Sequence, residues 1–285
     1  DKRAVIYNYG MLYITGGKFY GKYSGITNYG MADIKNTYIE CLGADNDVAA
    51  IVNDFDITFG ENVYIAGEYR AVTGTAAYTG TPIFLYAELN GKKYSSLQDA
   101  IDNAIDGDVV TLIANGTEDE VLITQKADVD VTINGNNKTF TGHITIFGSG
   151  RHTGAETLTI QNVVFQAVDE KGECIASATN INGVNSYAHN VTVEGCTFKG
   201  NDTYSANHTF AIRFPSGGVG YDLTVTDCTA DEKMFGLLWV TQVVGDLIVD
   251  NCTAEGVKEG IVLTSTTKAT ITNTKIDAST VAIRA

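Results

Sequence analysis

The sequence predicts an all-β fold, a parallel β-helix in two consecutive segments with a short helix at the head of the second. Three observations predict it. Residues 4–19 read AVIYNYGMLYITGGKF and residues 24–39 read SGITNYGMADIKNTYI, so Asn8, Gly10, Met11 and Ile14 recur as Asn28, Gly30, Met31 and Ile34. A third copy, AAIVNDFDITF, carries Asn53. A looser phrase then runs through the second half as LTIQNVVF (158–165), VTVEGCTF (191–198), LTVTDCTA (223–230), LIVDNCTA (247–254) and ATITNTKI (269–276). Short alternating strands at this spacing describe a solenoid, whose turns bury their apolar edges against one another. The composition agrees: 30 Gly against 2 Pro, with abundant Asn and Thr, suits strands and tight turns rather than helices.

The first segment spans residues 1–82, three coils and the start of a fourth at Arg70-Ala71-Val72. Alternation turns Ile6, Ile26 and Ile51 inward together with Asn8, Asn28 and Asn53, and leaves Tyr7, Thr27 and Val52 outside. Inward asparagines in register form a ladder that satisfies the backbone amides of a corner, which is a structural role. Residues 73–94 break the phrase and read as a connection into a hairpin over Asn90-Gly91.

The second segment, 83–285, holds the one helical pattern, near 96–106. Ser95 and Gln98 have capping-box spacing, Leu97, Ala100, Ile101, Ala104 and Ile105 form an apolar face, and Gly107 marks the C-terminal cap. Such a helix is expected to cover the open end of the coil that follows. Strands at 108–113, 120–125, 130–135 and 143–148 then begin a second stack. Another strand recurs later as CIAS, AIRF, GLLW, GIVL and AIRA. Alternation places Ile175, Ile212, Leu237, Ile261 and Ile283 inward, followed by Ser177, Phe214, Trp239 and Leu263. The outward row is then Ala176, Arg213, Leu238, Val262 and Arg284. The cysteines are odd in number, and Cys196, Cys228 and Cys252 share one place in the repeat. Parallel side-chain vectors on neighbouring strands suit packed free thiols better than disulfides.

A strand, a short helix, GDVVTL (107–112) and INGNNKTF (133–140) together resemble the entry into a right-handed parallel β-helix of the pectin-lyase-like superfamily. The phrase N-Y-G-M-x-x-I-x-x-G/T-x-F/I of the first seventy residues resembles repeats of large bacterial cell-surface, adhesin-like proteins. The resemblance implies the right hand of the solenoid and an extracellular setting, on a bacterial surface or secreted. It leaves the activity open, because this architecture serves lyases, hydrolases, tailspikes and adhesins.

Lyases of that kind place an Arg-x-Pro-x-x-Arg segment beside Ca²⁺-binding acids. Here Arg213-Phe214-Pro215 is followed by Gly218 where the second arginine would stand. The carboxylate signatures of the related hydrolases are absent, and Asp227 sits at a turn position shared with Asn162, Gly195, Asn251 and Asn273. The histidines (His143, His152, His189, His208) are scattered and read as solvated. Asp45-Asn46-Asp47 could seed a Ca²⁺ site, although an Asx turn accounts for the same residues; no other cofactor is indicated.

The aromatics are more suggestive. Ten of the 15 tyrosines lie in the first 82 residues, and Tyr9 and Tyr29 are equivalent by the repeat. Tyr7, Tyr9, Tyr13 and Tyr29, with Arg213 in the second segment, are the candidate binding residues. Exposed tyrosine rows hold sugar rings or protein surfaces with little entropy loss. A net charge of −15 disfavours nucleic acid as a partner, and no run is long enough to insert in a membrane. The chain starts and stops in mid-pattern and reads as a piece of a longer protein, expected to be monomeric. The expectation is a non-catalytic surface rod that binds glycan or protein; the alternative is a lyase or glycoside hydrolase acting on acidic polysaccharide.

Overall fold

The computed structural model describes residues 4–43, 48–67, 71–126, 128–148, 156–168, 173–178, 180–181, 184–185, 188–200, 209–215, 222–243, 245–265 and 268–285. The chain forms two compact units, Asp1–Ser96 with Ile113–Asn115, and Leu97–Leu112 with Gly116–Ala285. Both are stacks of parallel coils, and helix is almost absent. The Asp45-Asn46-Asp47 turn, Arg70, His152, His208 and Gly218 lie outside the described residues.

In the first unit each coil contributes a strand to each of three parallel sheets. The first coil is β1 (Ala4–Asn8), β2 (Met11–Thr15) and β3 (Lys18–Gly21). The second is β4 (Ser24–Asn28), β5 (Met31–Lys35) and β6 (Thr37–Cys41), and the third is β7 (Ile51–Asn53), β8 (Ile57–Phe59) and β9 (Val63–Gly67). The fourth is β10 (Val72–Thr73), β11 (Tyr78–Thr79) and β12 (Ile83–Leu85), paired in parallel with β7, β8 and β9. Residues 72–85 are therefore a coil, where the sequence suggested a connection from residue 73. Its strands are only two or three residues long, too short to show a period. A hairpin follows, β13 (Ala87–Leu89) and β14 (Lys92–Tyr94), turning on Asn90 and Gly91 with φ of 50° and 79°. Two consecutive positive φ values are what a two-residue hairpin turn requires.

The repeat fixes the register. Asn8 lies opposite Asn28 and Asn28 opposite Asn53. Asn8 Nδ2 donates to Asn28 Oδ1 (2.6 Å) and to the carbonyl of Met31 (2.9 Å). Asn28 Nδ2 donates likewise to Asn53 Oδ1 (2.9 Å) and the carbonyl of Asp56 (3.3 Å). Each amide thus bonds its equivalent and a turn carbonyl on the next coil. Ile26, Ile34, Ile39, Ile51, Val63 and Ile65 fill the interior.

The second unit opens with α1 (Leu97–Asp102), packed on β15 (Asp108–Leu112) and β16 (Gly116–Gln125). The helix is shorter than its sequence pattern, and Ile105 is exposed rather than part of an apolar face. Its cap also differs. The amides of Leu97 and Gln98 reach the Glu118 carboxylate, and the Gln98 side chain pairs with the backbone of Leu122 through both its amide atoms. Engaged with the adjacent strand, Gln98 does not close a box with Ser95.

The stack continues with β17 (Val131–Asn134) and β18 (Thr139–Gly148), then β19 (Thr157–Gln161), β20 (Val164–Gln166) and β21 (Ile175–Ser177). A two-stranded excursion, β22 (Asn180–Ile181) and β23 (Val184–Asn185), precedes β24 (Asn190–Glu194), β25 (Thr197–Lys199) and β26 (Phe210–Phe214). The last coils are β27 (Leu223–Thr226), β28 (Thr229–Ala230) and β29 (Gly236–Val240), then β30 (Asp246–Asp250) and β31 (Thr253–Leu263), then β32 (Lys268–Thr272) and β33 (Lys275–Arg284). Strands β15, β17, β19, β24, β27, β30 and β32 stack in that order in one sheet.

Ladders replace conventional core mixing here. Phe140, Phe165 and Phe198 occupy one position on successive coils, the last two rings stacked 5.4 Å apart. Cys196, Cys228 and Cys252 are buried and free, as is Cys174, and Cys41 is buried too. The first three thiols contact carbonyls on their own and the preceding coil, such as Cys228 Sγ to Thr226 O (3.2 Å) and Val193 O (3.6 Å). Asn162, Gly195, Asp227, Asn251 and Asn273 all have φ of 49–60°, so Asp227 is a turn residue in the left-handed region. At the head of the first sheet, acidic side chains accept the amide of the next coil. Asp106 accepts from Asp130, Asp130 from Thr157, and Asp222 from Asp246. Part of the chain's acidity is thus a scaffold device.

Candidate functional site

Outward side chains form the candidate surfaces, one on each unit. In the first unit the side made by β2, β5 and the turns before them is apolar and uncovered. Tyr9 and Tyr29 sit in those turns with their rings stacked at 5.2 Å and 17°. Met11 lies opposite Met31, and Tyr13 opposite Asp33. Tyr9, Met11 and Tyr13 are 75%, 66% and 68% exposed. The close approach of the two turns depends on Gly30, because a Cβ there would meet the Gly10 carbonyl oxygen at 2.2 Å.

Tyr7, Tyr20 and Tyr38 lie on the other two sheets of the unit. Tyr7 lies on a different sheet, opposite Thr27, and its hydroxyl accepts the Ala4 amide (3.1 Å). On the third sheet Tyr38 packs at 5.7 Å from Tyr20 and donates to Glu40 Oε2 (2.8 Å). Glu40 is also ion-paired with Lys93 of β14. Burial and the adjacent Glu40 carboxylate push the Tyr38 hydroxyl well above the ordinary phenol range. Of the sequence candidates, the structure stacks Tyr9 on Tyr29, places exposed Tyr13 on β2 of the same coil as Tyr9, and leaves Tyr7 on another sheet.

In the second unit the outward row runs Thr145, Ala176, Arg213, Trp239, Val262, Arg284. This corrects the expected register by one residue at β29. Leu238, not Leu237, pairs with Ile212, so Trp239 is beside Arg213 and half-buried rather than in the core. GLLWV is apolar throughout, so alternation cannot choose its face, and a one-residue slip inverts every side chain. Gly236 sets the register: it lies opposite Phe210, and a Cβ there would fall 2.4 Å from the Phe210 ring.

Arg213 is engaged on two sides, although its buried Nε has no hydrogen-bond partner among the described residues. Its guanidinium pairs with Glu173 and lies 4.5 Å from the Trp239 ring centroid. Trp239 packs in turn on Phe210 (5.8 Å), with Phe235 and Val262 completing a small cluster apart from the main core. Further along, Arg284 pairs with Glu259 at 2.6 Å. At the opposite end, Glu120 accepts from Thr145 (2.6 Å) and faces His143 (3.2 Å). Glu120, Glu173 and Glu259 are the partners of this row that sequence reasoning missed. They fall outside the strand phrase, and only the coil register places them beside their partners. Glu173 and Glu259 stand three coils apart, on the order of 14 Å at strand spacing, beyond the separation two carboxylates need to share one glycosidic bond.

Two of the four histidines, expected in solvent, are buried. His143 faces Glu120. His189 Nδ1 is hydrogen-bonded to Glu156, and its backbone amide donates to Gln125 Oε1 (2.7 Å). Burial alone would raise the Glu156 carboxyl, but its backbone hydrogen bond and His189 outweigh that and hold it below the ordinary carboxylate value. Nearby, a cavity of about 30 Å³ between Ile101, Ile123, Gln125 and Leu158 has room for a water rather than a sugar. Among the described residues no group of three or more His, Cys, Asp or Glu is placed to hold a metal ion, and no helix is long and apolar enough to cross a membrane.

No protein-family model matches this chain, and no curated protein matches it in sequence. The parallel β-solenoid is thus assigned from the structure, and the resemblance to pectin-lyase-like and surface-protein repeats rests on the quoted motifs.

Proposed function

We propose that this chain acts as an extracellular bacterial surface protein of adhesin type, a solenoid of the pectin-lyase-like class that holds glycan or protein on its side without turning it over. The observation that carries the reading is the uncovered Tyr9, Tyr29, Met11, Met31 and Tyr13 surface, presented on strands locked in register by the asparagine ladder. Large apolar side chains in one contiguous patch on a rigid scaffold are an interaction surface. Tyrosine and methionine suit sugar rings and mixed protein surfaces because they offer area with few or adaptable torsions. Neighbouring Asp33 and Thr15 supply polar groups for orientation.

The enzymatic alternative would use the Arg213 row. Against it, the arginine that would take a proton or bind a uronate is already held by Glu173 and Trp239. An array of glycans and matrix proteins, probed with the intact chain, tests the proposal. Binding that survives chelation of divalent cations, with the ligand recovered intact, is the expected result. Unsaturated or new reducing-end products from any polysaccharide would defeat the non-catalytic reading.

A further inference from the structure

Of the chain's 3 Met and 5 Cys, two sulfurs differ from the rest in exposure, and they lie side by side. We propose that Met11 and Met31 are a reversible oxidation site, converted to sulfoxides by a hydroperoxide, and that the conversion makes the apolar side of the first unit polar and releases what it holds. The consequence for a ligand rests on the reading given above; the modification itself does not.

The first observation is accessibility. Met31 is 50% exposed and Met11 66%, whereas Met234 is 2% exposed. Every cysteine is buried. Burial also pushes the Cys174 thiol up, which withholds the reactive thiolate there. Cysteine, the ordinary first target of a peroxide, is thus withdrawn from solvent, and the accessible sulfurs are the two thioethers.

The second observation is placement. Met11 lies opposite Met31, next to the turns that stack Tyr9 on Tyr29. Strand β5 is paired on both sides, with β2 and with β8, so the exposure of Met31 belongs to the outer face of the sheet and not to an edge. Alternation along β5 buries Ala32 and Ile34 and turns Met31, Asp33 and Lys35 out. The main chain at Met31 is held independently: its carbonyl accepts from Asn8 Nδ2 at 2.9 Å. Oxygen added at the far end of the side chain therefore leaves the ladder in place.

Each conversion is a two-electron oxygen transfer. The thioether lone pair attacks the terminal oxygen of the hydroperoxide, and the S–O bond forms as the O–O bond breaks. The proton of the transferred oxygen passes to the departing one, which leaves as water or an alcohol. Sulfur is oxidised and the peroxide is reduced. A flexible apolar side chain becomes a polar one with a strong acceptor oxygen. Two such oxygens on strands about 4.8 Å apart would have to be desolvated beneath any ligand seated on the patch.

The test treats the intact chain with graded hydrogen peroxide at neutral pH and reads each sulfur by peptide mass spectrometry. Met11 and Met31 should each gain one oxygen at doses that leave Met234 and the cysteines unchanged. Tm is expected to stay constant while retention on a hydrophobic-interaction column falls in step with conversion. Affinity for a ligand from the array should drop about tenfold or more. Methionine sulfoxide reductases, one for each epimer, should restore both. The double variant Met11→Leu, Met31→Leu should show the same retention before and after peroxide, whatever its starting value. Oxidation of Met234 or a cysteine alongside Met31, or retention or affinity unchanged at full conversion, would overturn the proposal. So would an equal fall in the double variant, or a fall in Tm that tracks conversion. Conversion and retention need no ligand, so an array without a hit defeats the adhesive reading alone.

Discussion

Asn28 shows how one residue type can serve as scaffold throughout this chain. It is fully buried and donates two hydrogen bonds to the next coil while accepting one from Asn8. Leucine of similar size would take away the buried acceptor of the Asn8 amide and the buried donor to Asn53 Oδ1, breaking the ladder on both sides. Asn28→Leu is expected to cost about 2–4 kcal/mol by denaturant unfolding, against less than about 0.5 kcal/mol for a change at exposed Lys18. A loss no larger than that of the surface control would contradict the ladder's role. Glu156 makes a pH-dependent contribution. Its folded pKa lies below the ordinary 4.5, so it adds stability that is fully present above that value and is lost as pH falls through the folded pKa. Glu156→Gln should therefore flatten the acid limb of the stability profile. An unchanged acid limb would show that the His189 contact does not differ between folded and unfolded states.

At the scale of elements, the helix and one strand mark where the sequence was and was not legible. The apolar positions of Leu97, Ala100 and Ile101 announced a helix, and it forms there. Its cap was not legible, because Glu118 lies some twenty residues downstream and only coil geometry brings it to the Leu97 amide. Glu118→Ala is expected to destabilise the second unit by about 1 kcal/mol, the usual worth of an N-cap, measured by thermal unfolding. In β29 the failure has a different cause. The phrase of β24, β27 and β30 alternates, so it fixed its own register, whereas Leu237, Leu238 and Trp239 are all apolar and either face was open. Gly236 was the available cue, since a strand glycine signals close approach by a neighbour, here Phe210. The Arg213 and Trp239 contact was invisible for the same reason. Fluorescence checks it: iodide should quench Trp239 in the native chain, and Arg213→Met should increase its accessibility. Complete protection from quencher would return Trp239 to the core.

On the scale of the whole molecule, each unit is a one-dimensional stack, and its chemistry is set by which residues face outward at each coil. Interior rows are occupied by Ile, Val, Phe and Cys with carbonyl-bonded thiols. Native alkylation should therefore leave Cys196, Cys228 and Cys252 unmodified, and unfolding should release all three as free thiols. A disulfide among them would contradict the packing. The repeat itself was legible where the coils obey it, and the coil at 72–85, which does not, was missed. The surface proposed to bind was legible only in part: the pairing of Tyr9 with Tyr29 follows from the phrase, but separating Tyr7 from them needed the sheet assignment. The carboxylates of the Arg213 row needed the register of seven coils before any could be placed.

The central claim is that the aromatic side of the first unit, not the Arg213 row of the second, holds the ligand. It is tested most directly by titrating one ligand from the array against two variants of matched Tm. A chain carrying Tyr9→Ala, Tyr13→Ala and Tyr29→Ala should lose about tenfold or more in affinity, while Arg213→Met should bind like the native chain. The reverse pattern, or release of cleaved product that Arg213→Met abolishes, would contradict the account.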